Sequence, residues 1–365
     1  MTGKDALQAE MFANRIRKKY RQLKKRARKS GVSCFRIYDR DIPEVPVALD
    51  LYEFLPETVR TAAQRTAFIE SQNAKIAAND ADAAAEAALR RYFVLYLYER
   101  PYEKSEEAEQ EWLFGIAEAV SAVFGANRER IIVKTRRRQR GEKQYLRLDG
   151  AESPAIEGVI QECGLLFTVN LSSYIDTGLF FDHRDLRTVV RRESAGKRVL
   201  NLFCYTGSFS VYAAAGGASF VESVDLSNTY LTRAQANMAA NGFDDKNYVF
   251  TRADVSEFLR ERAADVQGGA FVPFDIIVLD PPTFSNSKMT AHVLDVNKAW
   301  CTLVNDCIQL LASGGTLYFS TNSRRLQFDG TKIDSSCTAE DITERTIPFD
   351  FAGTTPHRCW KMVKR

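Results

Sequence analysis

At 365 residues, with 45% hydrophobic and 27% charged side chains, the chain has the length of about two domains and an ordinary soluble composition. That balance excludes collagen-like, coiled-coil and wholly disordered architectures. No stretch approaches the roughly 20 uninterrupted apolar residues of a membrane helix, since even residues 199–212 are broken by Asn201, Thr206, Gly207, Ser208 and Ser210. The net charge of +3 hides an asymmetry: residues 1–29 carry eleven Lys/Arg against Asp5 and Glu10, a local +9 that leaves the remainder at −6.

The chain opens on a predicted basic helix over residues 1–30. Phe12, Ile16, Tyr20, Leu23 and Ala27 recur at helical spacing and form one apolar stripe, with the other faces almost wholly basic. Crowded cations repel unless a polyanion or solvent screens them, so Arg17, Lys18, Arg21, Lys24 and Lys25 are expected to track RNA phosphates. A solvated face and an anionic membrane surface are the competing readings. The segment has no apolar signal-peptide core and little Ser, which points to the cytoplasm. Seven scattered cysteines with no Cys-x-x-Cys, and only three histidines, point to no metal site, no disulfide framework and a reducing compartment.

Residues 31–171 read as a small α+β RNA-binding domain. Period-two patterns at 34–38 and 45–52, with Pro43 and Pro46 marking turns or an edge, predict strands. Residues 59–91 are Ala-rich without a strong apolar face and read as a helical or poorly ordered insertion. A strand at 92–98 and a helix at 105–124 follow. Residues 131–134 and 144–148 suggest a hairpin around a basic turn, whose Lys134, Arg136, Arg137, Arg138 and Arg140 are expected on RNA phosphates, and 165–171 suggests a further strand.

Residues 172–365 read as a Rossmann-like domain, with strand and helix alternating from about 182. Strands are expected at 198–203, 219–224, 248–252, 274–279 and 316–320, and a pair near 339–347 and 359–363 would complete a seven-stranded sheet. Arg184, Arg187, Arg191 and Arg192 have the spacing of one basic helix face.

In an open parallel sheet the ligand sits at the carboxyl ends of the strands. Those positions hold Asn201 to Ser208, then Asp225, Asp254 and Asp280, at steps of 24, 29 and 26 residues. Charges in a fold are costly unless a ligand or partner satisfies them. The loop Phe203-Cys204-Tyr205-Thr206-Gly207-Ser208 has one glycine where a dinucleotide fingerprint wants three, which argues against a pyrophosphate. A nucleoside cofactor without phosphate needs only a close backbone turn, an acid for two ribose hydroxyls (Asp225) and an acid near an adenine amino group (Asp254). S-adenosylmethionine is such a molecule. In Asp280-Pro281-Pro282-Thr283-Phe284, the two prolines hold the backbone rigid with its carbonyls free to accept from a planar base, and Phe284 can stack on that base.

Three strings, Asp-Pro-Pro-Thr-Phe-Ser-Asn-Ser-Lys at 280–288, Asn-Leu-Phe-Cys-Tyr-Thr-Gly-Ser at 201–208 and Tyr-Ile-Asp-Thr-Gly-Leu-Phe-Phe-Asp-His-Arg at 174–184, closely resemble the C-terminal, guanine-N7-methylating half of the bifunctional bacterial 23S ribosomal RNA methyltransferases. The likeness runs from about Phe12 to the C-terminus, apart from 59–91, and the chain lacks that family's N2-guanine half. The resemblance implies a methyltransferase domain behind a small sheet domain that helps bind large-subunit RNA, free or in a precursor particle. It implies cofactor contacts at Phe203, Tyr205, Gly207, Asp225, Asp254 and Asp280, with the 176–184 loop, including Gly178 and Arg184, over the methionine end. Asn201, Thr206, Ser208 and Ser227 complete the expected cofactor set, and Asp280, Pro281, Pro282 and Phe284 the expected catalytic set. Cytosine-C5 relatives carry a nucleophilic cysteine after the fifth strand, where this chain reads Ser320-Thr321-Asn322-Ser323. Exocyclic amino methylation and a non-catalytic RNA-binding role are the alternatives.

Overall fold

A capping box starts the first helix, α1 (Gly3–Lys29): Thr2 Oγ1 accepts from the Asp5 amide at 3.2 Å, and Asp5 Oδ2 accepts from Thr2 N at 3.1 Å. The structure is a computed structural model describing residues 2–78, 81–98, 105–135, 155–269, 271–285 and 294–365. Phe12, Ile16 and Ala27 of the predicted stripe are buried in it, while Tyr20 and Leu23 are half-buried. The helix lies on β1 (Cys34–Asp39) and α4 (Glu106–Phe124). Phe12 meets Tyr38 edge-on at 4.9 Å, and Gln8 Oε1 accepts from Trp112 Nε1 at 2.7 Å. α4 is framed by a Ser105 N-cap and by Gly125, whose φ of 62° ends it.

β1, β2 (Val47–Glu53), β3 (Arg91–Leu97) and β4 (Ile131–Thr135) form one sheet in that order. β4 runs parallel to β3 because α4 carries the chain back between them. Arg36 and Asp50 face each other across β1 and β2 in a two-pronged pair, at 2.7 and 3.0 Å. The Ala-rich segment is helical, as α2 (Ala62–Ala77) and α3 (Ala81–Leu89). The strand expected at 144–148 lies outside the described residues. β5 (Glu157–Glu162) pairs instead with β6 (Leu165–Asn170) through a turn at Cys163 and Gly164, both at positive φ. β5 escapes a pattern search because only Val159 and Ile160 break a polar run.

The chain divides into two units, residues 1–181 and 182–365. The division falls after Phe181 rather than 171 because residues 172–181 are tied to the first unit: Asn170 N donates to Thr177 O at 2.9 Å, and Tyr52 Oη lies 2.9 Å from Thr177 Oγ1.

The second unit is a seven-stranded sheet of order β14-β15-β13-β10-β7-β8-β9, made from β7 (Arg198–Leu202), β8 (Phe220–Asp225), β9 (Tyr248–Arg252), β10 (Phe274–Leu279), β13 (Leu311–Thr321), β14 (Cys337–Asp341) and β15 (Arg358–Lys364). β15 is antiparallel to both neighbours. A small pair, β11 (Phe284–Ser285) with β12 (Leu294–Asp295), stands apart. α5 (Arg184–Glu193), α6 (Ser208–Ala215), α7 (Asn228–Ala240), α8 (Val255–Gln267), α9 (Val296–Leu310) and the short α10 (Thr343–Thr346) complete the unit. Strand alternation sorts the core onto two faces. Ile277, Leu279, Leu317 and Phe319 pack with Val255, Phe258, Trp300 and Val304 of α8 and α9. Ile276, Val278 and Tyr318 pack with Leu186, Val190, Phe209 and Ala213 of α5 and α6. Each fully buried aliphatic contributes roughly 1.5–3 kcal/mol, which fixes the register of the strand ends.

Candidate active site

From β7 the chain steps outward to β8 and β9, then returns to place β10 on the other side of β7. The topological switch therefore lies between β7 and β10, where open α/β sheets bind ligands. Leu202 pairs with Leu279 on one side and with Val224 on the other, so Phe203, Asp280 and Asp225 emerge at one level.

The loop after β7 is held in an uncommon shape. Phe203, Tyr205 and Gly207 have φ of 55°, 50° and 73°, three left-handed residues in five. Such strain costs of order 1–3 kcal/mol per non-glycine residue and clusters at functional sites. A Cβ on Gly207 would lie 2.7 Å from Ala234 Cβ of α7, so this position accepts only glycine. The loop is fastened to β8: Cys204 N donates to Val224 O at 3.0 Å, and Tyr205 N to Asp225 Oδ2 at 3.0 Å.

Asp225 Oδ1 accepts from Ser227 N at 2.8 Å, so both carboxylate oxygens accept from backbone amides. An ionised carboxylate has about four lone-pair sites, which leaves capacity for a diol. Burial raises the Asp225 carboxyl above its ordinary range, against the Ser227 and Tyr205 amides that favour the charged form. Ser227 caps α7 through its hydroxyl, and Asp254 caps α8, with Oδ1 accepting from Ser256 N at 2.9 Å and Glu257 N at 3.1 Å. Asp225→Ala is expected to weaken binding of a ribose-bearing cofactor by about 1.5–3 kcal/mol, the range for hydrogen bonds to a charged group. Affinity should also fall on acidification as this carboxylate takes a proton. Calorimetry showing unchanged affinity would remove Asp225 from the site.

Beyond β10, Asp280 is 27% exposed, and its Oδ1 lies 3.4 Å from His183 Nε2. Burial would raise this carboxyl, but the neighbouring His183 imidazolium holds it below the ordinary range. Pro281 is buried; Phe284 is 52% exposed and borders a cavity of about 400 Å³ with Asp295, Lys298 and Ala299. Thr283 anchors the turn, its hydroxyl bonding Asn322 and its carbonyl accepting from Val296 N at 3.2 Å. Residues 286–288 of this string lie outside the described residues.

Several expected contacts are corrected by the interior. Asn201 is 1% exposed, and its amide donates to Ser210 Oγ at 2.9 Å, inside a chain that continues to Ser223. Thr206 is equally buried, its carbonyl accepting from Asn237 Nδ2. Arg184 forms a buried ion pair with Asp350 at 2.6 Å, and Arg187 sits over the Phe209 and Tyr212 rings, so α5 has no basic face through these two. Lys134, expected on phosphate, is buried with its ammonium donating to the Tyr174 and Ile175 carbonyls at 2.6 and 3.1 Å. Arg136, Arg137, Arg138 and Arg140 lie outside the described residues. Ser208 begins α6, and Gly178, at φ 109°, belongs to the first unit. Arg17, Lys18, Arg21, Lys24 and Lys25 are all exposed. Asp182 and His183 entered the sequence reading only as part of the 176–184 loop, and His357 not at all; the three gather beside Asp280. The scarcity of histidine and the Asp-His-Arg ending of the 174–184 string were the available signals.

A mostly parallel sheet in this order, with a glycine turn, a carboxylate at the end of its second strand and a partly buried carboxylate beside Pro-Pro, defines an enzyme fold built for a nucleoside cofactor. The S-adenosylmethionine-dependent methyltransferase profile matches residues 73–341, and the chain belongs to that family. It is 39% identical over 351 residues to ribosomal RNA large subunit methyltransferase K of Neisseria meningitidis serogroup B, covering 96% of this chain and 86% of that protein. It is 38% identical over 357 residues to the K/L protein of Pseudomonas fluorescens, where 98% of this chain spans only 41% of the relative. Among solved structures, SMU.776 complexed with SAH superposes with a TM-score of 0.69 at 21% identity, covering 97% of this chain and 81% of that one. The residues present fit the family cofactor: Asp225 keeps acceptor capacity for a ribose diol, Asp254 keeps Oδ2 beyond its cap bonds, and the loop at 203–207 brings backbone close. No helix among the described residues is long and apolar enough to cross a membrane.

Proposed function

We propose that this chain methylates guanine N7 of large-subunit ribosomal RNA, free or in a precursor particle, and does so in the cytoplasm. The observation that carries the choice of N7 over cytosine C5 concerns the thiols. A C5 enzyme needs a thiolate at the reacting base, because that carbon is not nucleophilic until a cysteine adds to its neighbour. The end of β13 offers Ser320-Thr321-Asn322-Ser323. Cys359 stands opposite Ser320 in the β13–β15 ladder, but it is fully buried, and burial pushes its thiol well above the ordinary range. Cys204 in the cofactor loop is likewise buried and raised, by desolvation first and by Asp225 second. Neither provides a nucleophile at neutral pH.

Guanine N7 presents an in-plane lone pair, so positioning suffices. Asp225 and Asp254 would hold the nucleoside part of S-adenosylmethionine, which supplies an electrophilic methyl on a cationic sulfur. Asp280 and the adjacent carbonyls would offset the positive charge that moves onto the purine, and Phe284 would stack against the base. Thr283, where amino-methylating Asp-Pro-Pro enzymes place an aromatic, speaks against the exocyclic alternative.

RNA methylated in vitro should contain 7-methylguanosine and break at the modified site under borohydride and aniline. Single Cys→Ser changes should leave transfer largely intact, with Cys204 the expected exception because it lies in the cofactor loop. A 5-methylcytidine product, or a covalent adduct with 5-fluorocytosine RNA lost on one Cys→Ser change, would return the protein to the cytosine branch.

A further inference from the structure

Asp182 and His183 stand just before α5, Ser320 near the end of β13, His357 just before β15, and Asp280 just after β10. They meet in one place. His183 Nε2 lies 2.6 Å from Ser320 Oγ and 3.4 Å from Asp280 Oδ1. His183 Nδ1 lies 3.4 Å from Asp182 Oδ2, and His357 Nδ1 lies 3.3 Å from the same oxygen. The two imidazoles stack at 4.4 Å with 17° between planes, and His357 Nε2 is 3.0 Å from Thr346 Oγ1 of α10. Phe209 of α6 closes the remaining side of His183, edge-on at 5.9 Å. His183 is 6% and His357 1% exposed.

We propose that His183 is a positioning residue for methyl transfer: seated between two carboxylates, it holds Asp280 in one orientation at the end of β10, and Asp182, backed by His357, holds His183. The inference rests on the methyltransferase reading of that strand end.

Nε2 bonds the Ser320 hydroxyl with Asp280 beside it, and Nδ1 lies near Asp182 without closing a hydrogen bond, so the two carboxylates act on the ring through their charge. Flanked by two carboxylates at 3.4 Å, the ring is favoured by its surroundings as the imidazolium. Burial works to lower the His183 pKa, but Asp280 and Asp182 outweigh it and push it up to about 10. His357 is driven the other way, by burial and by the charge of the stacked His183, and is the neutral member of the pair. Without His183, Asp280 would be a largely buried carboxylate near a second one, Asp182, and both influences favour protonation. A protonated Asp280 could not offset charge on a purine.

Three variants and two measurements on the unaltered protein test this, with the large-subunit RNA as substrate. Asp280→Asn should lower kcat sharply; if it leaves kcat unchanged, the reading of the strand end fails and takes the inference with it. With that control met, His183→Gln should lower kcat about 10- to 100-fold, the scale of a misplaced reacting group, with cofactor affinity within a few-fold of the parent. The parent kcat should be level from pH 7 to 9 and fall as His183 loses its proton near pH 10. Asp182→Asn should bring that alkaline limb down by a pH unit or more, and His183→Gln should abolish it. Nitrogen-15 shifts of the native protein at pH 8 should show one histidine protonated on both nitrogens, which keeps the test open if a variant fails to fold. Parent-like kcat and pH profiles in both His183→Gln and Asp182→Asn would overturn the proposal, as would a neutral His183 at pH 8. Asp182, His183 and His357 are also of metal-ligating type, their ligand atoms within 4.8 Å of one another. A stoichiometric metal in the purified protein, occupying the nitrogens that should carry protons, would overturn it too.

Discussion

Arg184→Met is expected to cost about 3–5 kcal/mol of folding stability, because it leaves the Asp350 carboxylate buried without its guanidinium. The two side chains are 2% and 0% exposed and 2.6 Å apart. For a unit of this size the loss corresponds to a Tm lower by roughly 6–20 °C. The double change Arg184→Met, Asp350→Leu should recover much of it, since a buried ion pair replaced whole by apolar side chains is often near neutral. The resemblance alone placed Arg184 over the cofactor. A variant with unchanged Tm and weakened cofactor binding would restore that role; a fall in Tm with cofactor affinity kept at permissive temperature would establish the structural one.

Changing Arg17, Lys18, Arg21, Lys24 and Lys25 together to Gln should weaken RNA binding by more than any single substitution in the second unit. Counterion release gives about 0.7 to 0.9 in the slope of log affinity against log salt for each phosphate neutralised, so five contacts would make the slope shallower by up to about 3.5 to 4.5. Substitution is the informative test here, and deletion is not. Phe12 and Ile16 are fully buried and Gln8 bonds Trp112, so removing α1 would strip the first unit of core. The five cations project from the opposite side, exposed, and Gln preserves the helix. An unchanged slope would mean that the face is only solvated.

Periodicity and spacing were enough for the elements whose signal is local. The stripe Phe12, Ile16, Tyr20 marked α1, and continuous apolar runs such as Ile276–Leu279 marked strands buried on both faces. The turn residues at strand ends, Gly207, Asp225 and Asp280, were legible because parallel-sheet topology assigns ligand binding to those positions before any coordinate is known. The sequence was silent wherever a polar residue's partner lies far along the chain. Asn201, Arg184 and Lys134 look like ligand contacts in a string of letters, and only the fold reveals Ser210, Asp350 and the Tyr174 and Ile175 carbonyls as the groups that take them. The same holds in reverse for His183. Its neighbours Asp280, Ser320 and His357 are separated from it by 97, 137 and 174 residues, and no local pattern encodes their meeting. Local propensity and period act over a few residues, whereas the partner of a buried charge is chosen by desolvation, which acts only once the chain has closed around it.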